Sequence, residues 1–133
     1  MRFVIMGCGR LGRTVATTLD SEGHEVSIID FHEAAFQLLP ESFGGRTVLG
    51  NGVDKQIQAE AGTPEADVFM ALANGDNRNA MAAQVAKHLH GVDRVVARIF
   101  DTERAEVYRE LGLEAVNPTS IVSDLVRQAA FGS

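Results

Sequence analysis

The chain has 133 residues, a formal net charge of −6, 45% hydrophobic and 23% charged residues, which suits one soluble domain and leaves little room for a second. Lys55 and Lys87 are its only lysines, so it lacks the basic footprint of nonspecific nucleic-acid binding. The lone Cys8 cannot form an internal disulfide, in keeping with a reducing compartment; with no apolar run of bilayer length and no signal peptide before the first strand, membrane association is expected only through a partner.

Strand and helix patterns alternate from end to end. Residues 2–6 read as an apolar strand, followed by a helix with Leu11, Val15 and Leu19 on one face, ending near Gly23. Residues 25–30 form the second strand. A short helix through Ala34, Ala35, Leu38 and Leu39 stops around Pro40. Residues 47–49 are a third strand leading to Gly50-Asn51-Gly52, after which Asp54 can cap a helix ending at Gly62. Residues 67–73 are nearly all apolar, as in a strand buried on both faces of a parallel sheet. Asp76 is expected to cap the next helix, with Met81, Val85 and Leu89 as its apolar stripe. Residues 94–99 are the fifth strand. A helix carrying Ala105, Tyr108 and Leu111 ends at Gly112, and residues 114–116 make a short sixth strand. Asn117 then caps, with Pro118 at the first position, a last helix over about 118–131 bearing Ile121, Val122, Leu125 and Val126. Six strands with helical crossovers predict a Rossmann-type, doubly wound α/β parallel sheet in the order 3-2-1-4-5-6, a single dinucleotide-binding domain over 1–133.

The first turn gives that fold a chemical purpose. Gly7-Cys8-Gly9-Arg10-Leu11-Gly12 is G-x-G-x-x-G between strand and helix, and Asp30 ends the next strand eighteen positions after Gly12. Gly7 permits the tight turn, Gly9 admits a pyrophosphate close to the backbone, and Gly12 lets helix and sheet approach. The helix N-terminus offers free N–H groups to phosphate. Asp30 can accept from ribose hydroxyls and would repel a 2′-phosphate. In this topology the loops after strands 1 to 5 share one rim. Asn51 and Gly52 are expected near the adenine, Ala73 and Asn74 beside the pyrophosphate or the ligand's second half, and Arg98 with its guanidinium toward the ligand. Arg10 opposes the helix dipole, which a bound terminal phosphate would explain. Blander roles stand beside these: Asn74 shaping a turn, Arg98 pairing with Asp101 or Glu103, Arg10 solvated, and Cys8 a small filler rather than a reactive thiol.

Catalytic groups are hard to find. The only tyrosine, Tyr108, has Gly112 four residues on where a Tyr-Lys dyad needs lysine, and G-x-S-x-G is missing. His88 and His90 lie two apart and do not share a helix face. Metal-ligand spacing is also lacking, so neither a catalytic nor a metal site is expected.

Taken in order, Met6 to Gly12, Gly50-Asn51-Gly52-Val53-Asp54, Ala71 to Asn79, Ala97 to Asp101 and Val116-Asn117-Pro118 resemble the N-terminal nucleotide-binding domain of Trk-type potassium-uptake regulators, the regulator-of-potassium-conductance domain. The resemblance covers essentially the whole chain. It implies a non-enzymatic cytoplasmic subunit, peripheral to the inner face of the membrane, that binds NAD(H) or an adenine nucleotide (ATP, ADP or AMP). It further implies a ring or dimer of such domains acting on a membrane potassium transporter or channel. By motif position it assigns ligand contacts to Gly7 through Leu11, Asp30, Asn51, Gly52, Ala73, Asn74 and Arg98, with Arg10 at a terminal phosphate. The last helix resembles one that crosses to a neighbouring domain, although its apolar face could equally cover this domain's own sheet. Many members continue into a second domain, so the chain is expected to be an N-terminal domain or a single-domain member. Thr119 and Ser120 stand where some members carry an acidic residue tied to cation binding, which argues against a cation there. Two other readings remain: a coenzyme-binding fragment of an NAD-dependent oxidoreductase, and a structural dimer module.

Overall fold

Strand register decides where a ligand could sit. In a computed structural model that describes residues 1–132, six parallel strands pair in the order 3-2-1-4-5-6: β1 (Arg2–Met6), β2 (Glu25–Asp30), β3 (Arg46–Leu49), β4 (Val68–Ala71), β5 (Arg94–Arg98) and β6 (Glu114–Val116). Met6 lies opposite both Ile29 and Ala71, Ala71 opposite Ala97, and Asp30 opposite Leu49. The strand ends are therefore flush, and Gly7, Asp30, Gly50, Leu72 and Arg98 come to one rim.

The helices are α1 (Arg10–Ser21), α2 (Glu33–Phe36), α3 (Lys55–Glu60), α4 (Asp76–Gln84), α5 (Thr102–Glu110) and α6 (Pro118–Ala130). Alternation along the strands splits the core in two. Ile5, Val26 and Ile28 face α1 and α2 through Ala16, Val15, Leu19 and Phe36. Val4, Met6, Ile29 and Phe69 face the other way, against Ala61 beyond α3, the alanines of α4 and Ala105 of α5.

Several helix boundaries follow their capping residues. Asp54 accepts from the backbone N–H of Gln56 and Ile57 at the start of α3, and Asn117 accepts from Ser120 N–H at the start of α6. Asp101 does the same for α5, accepting from Arg104 N–H. A 3-10 turn at Thr63–Glu65, with Pro64 inside it, was not anticipated from the sequence.

Four expectations need correcting. Asp76 does not cap α4: Gly75 is the N-cap residue and makes no side-chain bond, because the Asp76 carboxylate is engaged across the rim. The stripe of Met81, Val85 and Leu89 is not the buried one; Met81 and Leu89 are exposed, while Asn79, Ala80, Ala82 and Ala83 are buried. Small side chains let α4 close on the sheet, and the larger apolar groups were the misleading signal. Helix α4 also widens into a π-turn at Val85–Leu89. Strand β4 is shorter than 67–73, since Asp67 instead accepts from Arg2 N–H at 2.7 Å and Leu72 and Ala73 turn into the rim. Helix α2 is a single turn that stops before Leu38 and Leu39.

Helix α6 stands apart from the rest. No residue of it is buried, and Ile121, Val122, Leu125 and Val126 remain 50% to 60% exposed. That apolar face is not laid against the sheet among the described residues.

The glycine loop makes opposite demands on two of its members. A Cβ on Gly12 would run into the carbonyl oxygen of Gly7, whereas one on Gly9 would meet no atom within 4 Å. Gly12→Ala should lower stability by about 2–3 kcal/mol, and Gly9→Ala by less than about 1 kcal/mol, as read by urea unfolding.

Candidate functional site

A cleft of about 290 Å³ opens at the rim where β1 and β4 lie side by side, lined by Gly7, Cys8, Gly9, Asp30, Phe31, His32, Ala35, Gly52, Ala73, Asn74 and Arg78 among others. A larger cavity of about 460 Å³ lies elsewhere, among Arg2, His24, Glu25, Arg46 and Glu65, and contains none of the site residues expected from the sequence.

The floor of the cleft is the glycine loop. Gly7 takes φ +106°, which only glycine adopts without strain, and its N–H donates to Ile29 C=O at 2.8 Å. Cys8 N–H donates to Asp30 Oδ2 at 2.8 Å. Gly9 is the N-cap of α1 and no side chain caps that helix. The first-turn N–H groups of Arg10, Leu11 and Gly12 thus have no helical acceptor, the arrangement that attracts an anion.

Asp30 does more than the sequence suggested. Its Oδ1 accepts from His32 N–H at 2.8 Å and lies 3.4 Å from His32 Nδ1. Both oxygens are thus engaged by backbone, which fixes the carboxylate at the rim and keeps lone pairs for hydroxyl donors. Cys8 is buried, and its thiol is pushed up from its ordinary value first by desolvation and then by the Asp30 charge. That is the setting of an inert filler rather than a nucleophile.

The far wall is built by amides. Asn79, fully buried, accepts from Ala73 N–H at 2.9 Å and donates to Ala73 C=O and Arg98 C=O, both at 2.8 Å. One side chain thereby ties the turn after β4 to the end of β5. Arg98 donates to Ala73 C=O at 2.9 Å and Asn74 Oδ1 at 3.0 Å, and its guanidinium carbon sits 4.8 Å from the Phe100 ring centroid. Burial pulls its pKa below the usual value. It pairs with neither Asp101 nor Glu103 among the described residues; it props the Asn74 turn and does not line the cleft. Asp76 completes the wall, accepting from Phe100 N–H at 2.7 Å and Asp101 N–H at 3.0 Å.

Of the expected site residues, Gly7, Cys8, Gly9, Asp30, Gly52, Ala73 and Asn74 line the cleft directly. Arg10 and Leu11 are exposed on the first turn of α1, and Gly12 is buried beneath it. Asn51 stands outside the lining, its Oδ1 accepting from Val53 N–H at 3.1 Å. Asn79 and Arg78 were missed as individual residues. The signals were present: an amide on a face of alanines, and a basic side chain in the first turn of a helix, where the dipole disfavours it.

Residues 3–118 match the TrkA-N domain family model. The chain belongs to the TrkA-N domain family. Its relatives include the Trk system potassium uptake protein TrkA of Streptomyces coelicolor, 49% identical over 116 residues, covering 87% of this chain and 52% of that protein. The Pyrococcus abyssi TrkA homolog is 34% identical over 111 residues, covering 84% and 49%. This TrkA-N domain thus spans about half the length of those relatives. Among solved structures, the TrkA-N domain of the inner membrane protein ybaL from Escherichia coli superposes with TM-score 0.86 at 18% identity, covering 96% of this chain and 95% of that one. The GsuK channel bound to NAD gives TM-score 0.73 at 22% identity, covering 88% and 21%. The Kef C-terminal domain of Shewanella denitrificans in its AMP-bound form gives 0.77 at 20%, covering 100% and 83%. At these identities the structures speak for the fold alone.

The amide wall carries a test. Asn79→Ala would take that partner from the part-buried Ala73 N–H and Arg98 C=O, so urea unfolding should show a loss of about 1–3 kcal/mol.

Proposed function

We propose that this TrkA-N domain is a non-catalytic regulatory module that binds NAD(H) or an adenine nucleotide and gates potassium uptake through a membrane transporter or channel subunit. The observation that carries this reading is the uncapped first turn of α1 above the Gly7–Gly9 loop, with the fixed Asp30 carboxylate on the same rim. That set fits a ribose pyrophosphate: anion donors, room above Gly9 and a hydroxyl acceptor, spaced by one strand–helix–strand unit. Gly7 through Gly12 would hold phosphate, with Arg10 at a terminal phosphate. Asp30 would hold ribose, and Asn51, Gly52, Ala73 and Asn74 would border the base and the second half. Arg98 would act from behind Asn74. The names of the relatives, potassium uptake proteins, weigh against the oxidoreductase fragment. The NAD- and AMP-bound neighbours support a nucleotide ligand.

The domain would lie in the cytoplasm against the inner membrane face, brought there by its partner; no helix among the described residues is long and apolar enough to cross a membrane. The exposed apolar face of α6 supports pairing with a second copy. A polar route supports coupling between cleft and helix. Asp76 holds Phe100 N–H, and Asn117 donates to Ile99 C=O at 3.0 Å and Phe100 C=O at 3.1 Å while capping α6. For a ligand to regulate by this route it must bind two arrangements of α6 with different affinities, because equal affinity shifts nothing.

Calorimetric titration with NADH, NAD, ATP, ADP and AMP tests the reading. Asp30→Ala should weaken binding by at least about tenfold, the worth of a hydrogen bond to a charged group. Arg10→Ala should reduce ATP affinity more than AMP affinity. No binding of any of the five ligands by the unmutated protein would sink the proposal. Separately, Val122→Asp with Leu125→Asp should convert a self-associated species to monomer in light scattering, leaving the melting temperature of the core within about 3 °C.

A further inference from the structure

Arg78 lines the cleft from outside the glycine motif and its acidic partner. It lies in the first turn of α4, yet its guanidinium reaches across to the β2 side of the cleft and sits 4.1 Å from the centroid of the Phe31 ring. Phe31 directly follows Asp30 and lines the same cleft, 43% exposed. The other contacts of Arg78 are poor. Nη2 is 3.5 Å from Asn51 Oδ1, at the outer limit of a hydrogen bond. Its Nε is buried and has no hydrogen-bond partner, and neither ion pair among the described residues includes it. A planar cation with one free buried donor and one half-exposed aromatic neighbour is thus held over the ribose-side end of the cleft.

We propose that Arg78 and Phe31 form the purine slot of this site: the pair covers the slot in the free protein and parts to take the adenine ring between the two planes. The proposal rests on the nucleotide reading above and names the residues that select the base. Chemistry favours a purine. Its two faces can stack on a phenyl ring and a guanidinium at once, which replaces one planar contact by two. A pyrimidine offers a smaller face to both planes. Lysine at position 78 would keep the charge but not the plane, so a stacking role and a purely electrostatic role separate cleanly. The same slot serves a free mononucleotide and the adenosine half of NADH.

The experiment is calorimetric titration of the unmutated protein, Arg78→Ala, Arg78→Lys and Phe31→Ala with ADP, UDP and NADH. ADP and UDP share the ribose and both phosphates and differ in the base. The unmutated protein should prefer ADP over UDP by about tenfold, the range expected of base stacking. Arg78→Ala should cut affinity for ADP and NADH by about tenfold and leave UDP within about threefold, and Arg78→Lys should not restore the preference. Phe31→Ala, at an exposed position, should lose the preference in the same direction. An unchanged ADP-to-UDP ratio in Arg78→Ala, equal losses for both ligands, tighter ADP binding, or full rescue by lysine would each overturn the slot. Binding of ADP or NADH by the unmutated protein together with any of those results removes the slot alone. No binding by the unmutated protein removes the nucleotide reading and the slot with it.

Discussion

The bond from Cys8 N–H to the Asp30 carboxylate is the contact on which the site end of this domain depends. It joins the loop after β1 to the end of β2 at the point where the flush strand register has already brought them side by side. The loop therefore holds its curve from within, with the N–H groups beyond Cys8 left for something else. A carboxylate used as a scaffold is also a carboxylate held still, and a fixed acceptor loses less freedom on binding than a mobile one. The same economy appears across the cleft, where Asn79 and Asp76 pin backbone on two neighbouring turns. Rigid amides and carboxylates, more than apolar packing, shape the rim.

Much of this was legible in the sequence, and the reasons are specific. Strand order follows from the alternation of elements and from the single long crossover that β3 must make to β4. Asp54 and Asn117 could be placed as caps because a short polar side chain before an apolar period has few other uses. Asp76 looked like a third and is not, since the groups it bonds, Phe100 and Asp101 N–H, are distant in sequence and nothing local announces them. The error on α4 has a similar origin. Periodicity weights large apolar residues, but what a helix needs against a crowded parallel sheet is a thin face, and alanine scores weakly. The neighbours of Asp30 were invisible for another reason. That Phe31 and Arg78 meet requires knowing how far two loops lean toward one another, which no spacing encodes.

The polar network joins the cleft to the start of the last helix. Ile99 and Phe100 lie between Asp76 on one side and Asn117 on the other, so two residues of backbone are shared by the rim and by the cap of α6. Each of those carbonyl and N–H groups has a partner, so neither turn leaves main chain unpaired where the two meet.

Helix α6 carries a consequence of its own. Thirteen residues with no buried side chain fall near the length at which an isolated helix in water is only marginally favourable. Asn117 and Pro118 settle how it starts, while Leu125 and Val126 in its later turns stay exposed. An isolated helix of this length gains little from its backbone alone, so its later turns are the least secured part of the described residues.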